Sequence, residues 1–175
     1  LLFSTGKAEI KDAINYLNKN LPQGDIALPF YSEMNGKYRD IIEKIGSKIE
    51  GIRNHRRNIA EQWGTEYKEV SDVAPGTYKR AVIVATNVAE ASITIETLKF
   101  VVDTGYEKVN TFNEDIMSGV MSVQPISEAS RLQRKGRVGR TSDGTVYYMY
   151  DKEAREKIKP KYKITNDDFH TSFLK

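Results

Sequence analysis

Residues 133–140 read Gln-Arg-Lys-Gly-Arg-Val-Gly-Arg, which places three arginines and a lysine among eight positions with two glycines. Like charges at that density repel one another, and an anion held among them offsets the repulsion. A guanidinium presents a planar fork of donors that matches phosphate oxygens and keeps its charge at any working pH. On a helix, Gln133, Arg137 and Arg140 fall at i, i+4 and i+7 and share one face, from which three donors can meet one polyphosphate. Arg134 lies off that stripe, free to turn toward a nucleic-acid backbone or the domain's own core. Taken alone, such an octamer is more often a solvated basic helix face.

Two other segments gather small polar groups beside apolar runs. Ala85-Thr86-Asn87-Val88-Ala89-Glu90-Ala91-Ser92-Ile93-Thr94-Ile95-Glu96 follows the run Ala81–Ala85 directly. Hydroxyl and amide groups at the end of a parallel strand stand where an open α/β sheet places its ligand crevice. The plainer reading is that Thr86 and Asn87 cap the next helix. At the other segment, Leu2-Phe3-Ser4-Thr5-Gly6-Lys7-Ala8-Glu9-Ile10, a Thr-Gly turn at a helix start exposes backbone N–H groups and a hydroxyl. That arrangement suits a sugar-phosphate contact and is equally compatible with simple capping.

These segments need elements to hold them. Leu1–Phe3 reads as a strand and turn, and Ile10, Ala13, Ile14, Leu17 and Leu21 recur at helical spacing. Pro22 and Gly24 end that helix, and Ile26–Tyr31 reads as a second strand. Tyr38, Ile41, Ile42, Ile45, Ile49 and Ile52 mark a second helix, with Gly46 and Gly51 as its points of interruption. The polar stretch Arg53–Thr77, carrying Arg53, His55, Arg56 and Arg57, reads as an extended connection. Ala81–Ala85 and Phe100–Val102 are buried strands, and strands separated by helices predict a parallel α/β sheet. Two alternating runs between Tyr106 and Ile126, around Ser118-Gly119, predict a projecting β-hairpin. Ser127–Val138 predicts a helix with Ser127 at its N-cap, and Thr145–Tyr150 a last strand.

In this order the segments resemble the motifs of superfamily-two helicases of the DEAH/DExH-box group. Residues 133–140 are similar to motif VI, Gln-Arg-x-Gly-Arg-x-Gly-Arg, and residues 85–96 to motif V, Ala-Thr-Asn-x-Ala-Glu-x-Ser-x-Thr-Ile-Asp. Leu2–Ile10 is similar to motif IV. The resemblance covers roughly Leu1–Tyr150 and implies the second, C-terminal RecA-like domain of such a motor: an α/β fold with a mostly parallel sheet flanked by helices. It implies that Gln133 sits near the γ-phosphate and attacking water, and that Arg137 and Arg140 are arginine fingers. On the nucleotide side it adds Gly136, Ser92 and Thr94, which couple strand contacts to the ATP site, and Glu96 at the ribose, in place of the usual aspartate. Ser4, Thr5, Gly6, Thr86 and Asn87 would hold nucleic-acid backbone. In relatives the hairpin acts as a wedge or bookend, with its tip about Asn113–Gly119. Lys135 and Val138 replace the alanines common in cellular members and look more like viral DExH helicases.

The rest of the 175-residue chain bounds this reading. A hydrophobic content of 39% suits one compact domain, expected over residues 1–150, with 151–175 as a linker toward a following domain. With 27 basic against 24 acidic residues, the net charge of +3 makes any basic footprint local. The absence of cysteine excludes a disulfide framework, a thiolate metal site and a cysteine nucleophile, and His55 and His170 are too few for a zinc site. No apolar run is long enough to cross a bilayer, so no membrane partner is expected. The expected setting is intracellular, cytoplasm or nucleus, with a viral or bacterial parent left open.

No Gly-x-x-x-x-Gly-Lys-Ser/Thr sequence and no Asp-Glu-x-His occurs, so the phosphate cradle and magnesium ligands are expected on a first RecA-like domain of the same parent chain. The chain begins at Leu1 without methionine and reads as a piece of a longer protein, inactive by itself and expected to be monomeric. Its expected ligands are ATP with magnesium and single-stranded nucleic acid, RNA ahead of DNA. The competing reading is a non-catalytic binding or scaffold module that kept the fold. A free-standing Rossmann-type enzyme would need a glycine-rich loop after the first strand, where only Gly6 stands.

Overall fold

The computed structural model describes residues 1–34, 36–49, 78–113, 118–151 and 153. Strands β1 (Leu2–Phe3), β2 (Asp25–Phe30), β3 (Arg80–Ala85), β4 (Phe100–Asp103) and β7 (Thr145–Tyr148) form one sheet in the order β2-β3-β1-β4-β7. Every neighbouring pair in it runs parallel. β5 (Tyr106–Asn113) and β6 (Ser118–Pro125) form a separate antiparallel hairpin. The helices are α1 (Lys7–Asn20), α2 (Gly36–Glu43), α3 (Ile45–Lys48) and α4 (Glu128–Lys135).

A parallel sheet covered on both faces needs apolar residues at consecutive strand positions. Ile26, Ala27, Leu28 and Phe30 of β2 and Ile83, Val84 and Ala85 of β3 are all buried, with Phe3 of β1 and Val101 of β4 continuing the layer. α1 closes one side with Ile10 and Ile14, one turn apart, and α2 adds Tyr38, Ile41 and Ile42. Each such Ile or Phe contributes about 1.5–3 kcal/mol through burial. The outer edge of β2 is blunted by a side chain: Asn18 Nδ2 donates to the Ala27 carbonyl, and the Ala27 N–H donates back to Asn18 Oδ1. The amide thus occupies backbone groups that an edge strand would otherwise expose to another chain.

The predicted strands are present within a residue or two, and three expectations are corrected. The second helix breaks at Lys44, between α2 and α3, and not at Gly46. Ser118 and Gly119 are not turn residues, because they pair with Asn113 and Phe112 in the hairpin ladder. The helix predicted over Ser127–Val138 ends at Lys135 with Gly136 as C-cap. Its start is as expected: Ser127 Oγ accepts from the Ser130 N–H at 3.1 Å. The 53–57 basic cluster, residues 114–117 of the expected hairpin tip and the tail beyond Glu153 lie outside the described residues.

Register fixes where the site is. Phe30 is level with Ala85, Ala85 with Phe3, Phe3 with Asp103, and Asp103 with Tyr148. The last residues of all five strands therefore form one row, and the segments that follow them share one edge of the sheet.

Candidate nucleotide and nucleic-acid site

Ser4-Thr5-Gly6 and Thr86-Asn87 leave adjacent strands at that carboxyl edge. Backbone bonds stitch them down: the Ser4 N–H donates to the Ala85 carbonyl at 2.7 Å and the Thr86 N–H to the Phe30 carbonyl at 3.3 Å. Thr104 Oγ1 donates to the Phe3 carbonyl at 3.0 Å. Gly6 is the N-cap of α1 and Thr86 the N-cap of a 3-10 turn over Asn87–Glu90, and neither position makes a side-chain cap bond. The capping role open to Thr86 from sequence is thus not taken up. No hydrogen bond or ion pair engages the side chains of Ser4, Thr5, Thr86 or Asn87 among the described residues. Two uncapped starts and four unspent polar side chains therefore face the same edge. The hairpin borders it, since a Cβ built on Gly6 would stand 3.6 Å from Lys108 Cδ.

The arginine octamer divides its labour. Arg134 is fully buried, with its Nε donating to Glu90 Oε1 at 2.8 Å and its Nη1 to Asp103 Oδ1 at 2.8 Å. Its Nη2 donates to the Tyr106 carbonyl at 3.2 Å, and the guanidinium lies 4.5 Å from the centroid of the Phe3 ring. Of the two destinations open to Arg134 from sequence, it takes the core. The acids are saturated in turn: Ser130 Oγ donates to Glu90 Oε2, the Gly105 N–H to Asp103 Oδ1, and the Tyr150 hydroxyl to Asp103 Oδ2. Burial first, and then the Asp103 charge, push the Tyr150 phenol well above its ordinary value.

Arg137 and Arg140 have no such partners. Arg137 is half-buried; its Nη1 donates to the Ile93 carbonyl at 2.9 Å and its Nε to the Gln133 carbonyl at 3.4 Å. Burial first, and the Arg140 charge second, lower its pKa from the ordinary arginine value, while Glu90 acts the other way. Arg140 is exposed, and among the described residues it makes no hydrogen bond or ion pair. Gln133 and Gly136 are exposed too.

The helical stripe expected for Gln133, Arg137 and Arg140 does not form, because the chain leaves α4 before Arg137. The Arg137 and Val138 N–H groups donate only three residues back, to Arg134 and Lys135. Gly139 then takes φ +79°, a left-handed conformation that side chains with a Cβ disfavour. Gly144 holds the loop close, since a Cβ there would stand 2.5 Å from Val138 Cβ. What joins the two motifs is therefore a loop contact: the Ile93 carbonyl on Arg137, and the Glu96 carbonyl accepting from Thr141 Oγ1 at 2.6 Å. Thr94 and Glu96 are exposed along this seam, whereas Ser92, also exposed, donates its hydroxyl to the Val88 carbonyl.

Three comparisons bear on this geometry. Residues 64–142 match the family described as Helicase conserved C-terminal domain. The chain is 39% identical over 178 aligned residues, spanning all of this chain and 10% of the relative, to the Acanthamoeba polyphaga mimivirus protein named "Putative ATP-dependent RNA helicase". It is 33% identical over 154 residues to the ATP-dependent RNA helicase HrpA of Borreliella burgdorferi, covering 87% of this chain and 15% of that one. The E. coli DExH-box NTPase HrpB superposes with a TM-score of 0.65 at 25% identity, over 93% of this chain and 16% of HrpB. The chain belongs to the DEAH/DExH-box helicases, as their second RecA-like domain. It spans between 10% and 16% of these relatives' length.

Within the helicase family's matched region fall both the motif V stretch and the octamer, while the Ser4-Thr5-Gly6 turn precedes it. Local spacing did not single out Glu90 and Asp103 as partners of Arg134, which are 44 and 31 residues away from it. A signal for them exists. An acid set between alanines, and another ending an apolar strand, must be paired if buried, and motif VI holds the nearest surplus of cations.

Proposed function

We propose that this domain is the second half of an ATP-driven nucleic-acid motor, gripping single-stranded backbone at its carboxyl edge and presenting Arg137 and Arg140 to ATP held by a first RecA-like domain of the same parent chain. One observation carries the reading. Of the three arginines in the octamer, Arg134 takes both carboxylates, whereas Arg137 rests on backbone carbonyls and Arg140, three residues on, makes no hydrogen bond or ion pair among the described residues. A neighbouring pair of cations without counter-ions is stabilised by an incoming polyanion, and a phosphoryl group accumulating charge in its transition state is one.

In this mechanism Arg137 and Arg140 neutralise charge on the transferring phosphoryl group. Gln133, one turn before them, orients the attacking water, while Gly136, Ser92, Thr94 and Glu96 border the nucleotide. Magnesium is held by the first domain. Ser4, Thr5, Gly6, Thr86 and Asn87, with Lys108 alongside, contact phosphates without reading bases, and RNA is favoured over DNA because the named relatives are RNA helicases. Closing and opening of the two domains around ATP then shifts the gripped strand.

The test is nucleic-acid-stimulated ATP hydrolysis by the intact parent, with and without Arg140→Ala. Loss of a finger lowers turnover by about a thousandfold or more. Unchanged turnover would discard the finger assignment and favour a binding or scaffold module.

A further inference from the structure

The hairpin and the arginine loop belong to different parts of the fold, and one side chain touches the foundations of both. Arg134 projects from the last turn of α4, and its own carbonyl accepts the Arg137 N–H at 3.1 Å. Its guanidinium reaches the motif V turn through Glu90, the end of β4 through Asp103 and the first residue of the hairpin through the Tyr106 carbonyl. The Phe3 ring, just before the Ser4-Thr5-Gly6 turn, lies against it. Five segments thus meet at one group with no exposure to solvent. Asp103 Oδ1 also takes the Gly105 N–H, and the Ile126 N–H donates to the Gly105 carbonyl, so both ends of the hairpin are tied to this junction.

A planar guanidinium with donors in fixed directions holds such a junction in one geometry, which an ammonium cannot, because its donors point from a single atom. Resting on the motor reading above, we propose that Arg134 is a positioning residue that makes the hairpin move as one body with the arginine loop and the strand-gripping edge, so that ATP turnover is converted into strand separation. Arg134 touches neither ATP nor nucleic acid. Loss of its fork, with the charge kept, uncouples the two processes and leaves hydrolysis running.

The experiment uses the full-length parent carrying Arg134→Lys, which keeps the positive charge beside Glu90 and Asp103 and removes the fork. Three quantities are measured on each protein: single-strand-stimulated ATP turnover, duplex unwinding per ATP, and the melting temperature. Turnover should stay within about threefold of the unaltered protein while unwinding per ATP falls by about tenfold or more. Ser130→Ala and Tyr150→Phe, which each remove one hydrogen bond from the flanking carboxylates, should give the same split at about threefold. They decide the matter if the lysine variant fails to fold. Parallel loss of turnover and unwinding that tracks a lower melting temperature would reduce Arg134 to a structural ion pair and overturn the proposal, as would unwinding per ATP that is unchanged. Absence of stimulated turnover in the unaltered parent would instead sink the motor reading, and this inference with it.

Discussion

A cation paired with buried acids and one paired with an exposed acid answer to different constraints, and residues 131 and 134 show both within one helical turn. Arg134 and its two acids have no solvent to fall back on, so removing the cation strands two carboxylates in the interior. Arg134→Met should therefore lower the stability of the chain by about 3–5 kcal/mol, read from its denaturant midpoint. Arg131, whose own side chain is only 11% exposed, pairs with Glu128, which is 43% exposed, and rests against the Tyr148 ring. Arg131→Met should cost about 1 kcal/mol or less, because the carboxylate left behind at Glu128 is reached by water. Equal losses at the two sites would contradict the contrast in burial. Charge density in the octamer pointed to an anion from sequence only together with the neighbouring motifs. Which arginine turns inward was not legible there, because it depends on acids brought in by β4 and the motif V turn.

At the scale of elements, the loop that carries Arg137 and Arg140 depends on where α4 stops. Helical spacing over residues 133–140 was read as one continuous face, and it fails at two glycines: Gly136 ends the helix, and Gly139 turns the chain left-handed. Space around Gly139 is open, with nothing within 4 Å of a Cβ built there, so the backbone alone sets the cost of a side chain. Gly139→Ala should destabilise by about 1–2 kcal/mol and lower stimulated hydrolysis in the parent while leaving α4 intact by circular dichroism. Unaltered hydrolysis would mean that the loop conformation does not aim Arg140. The strands were legible because a parallel sheet buried on both faces writes itself as unbroken apolar runs. The hairpin was legible as alternation, although the expected tip, Asn113–Gly119, was drawn too wide, since Ser118 and Gly119 carry no mark that separates a turn from a strand end.

For the whole molecule, a net charge of +3 gives little general attraction to nucleic acid, so the proposed grip has to be local, at the carboxyl edge. Ser4, Thr5, Thr86 and Asn87 are neutral donors that release no counter-ions when they meet phosphate, whereas Lys108 releases about one. Replacing Asn87 with Ala should weaken single-strand binding by the parent at every salt concentration without changing the slope of log K against log salt. Replacing Lys108 with Ala should shallow that slope by about 0.7. A change of slope at Asn87, or none at Lys108, would place the strand elsewhere. The sequence carries no phosphate cradle of its own, which is what leads to the expectation of a second wall for the nucleotide. The row of strand ends that unites motifs IV and V was implicit in a parallel sheet, but its register emerges only once the strands are aligned.

The proposed motor requires that two cations left without carboxylate partners point across a cleft at a phosphoryl group held by another domain. A structure of the full-length parent with single-stranded RNA, ADP, magnesium and aluminium fluoride tests it most directly. Arg137 should have left the Ile93 carbonyl, and guanidinium nitrogens of Arg137 and Arg140 should lie about 2.7–3.0 Å from fluoride or β-phosphate oxygen. Arg137 still on Ile93 and Arg140 still in solvent, with the two domains closed around the analogue, would contradict the account.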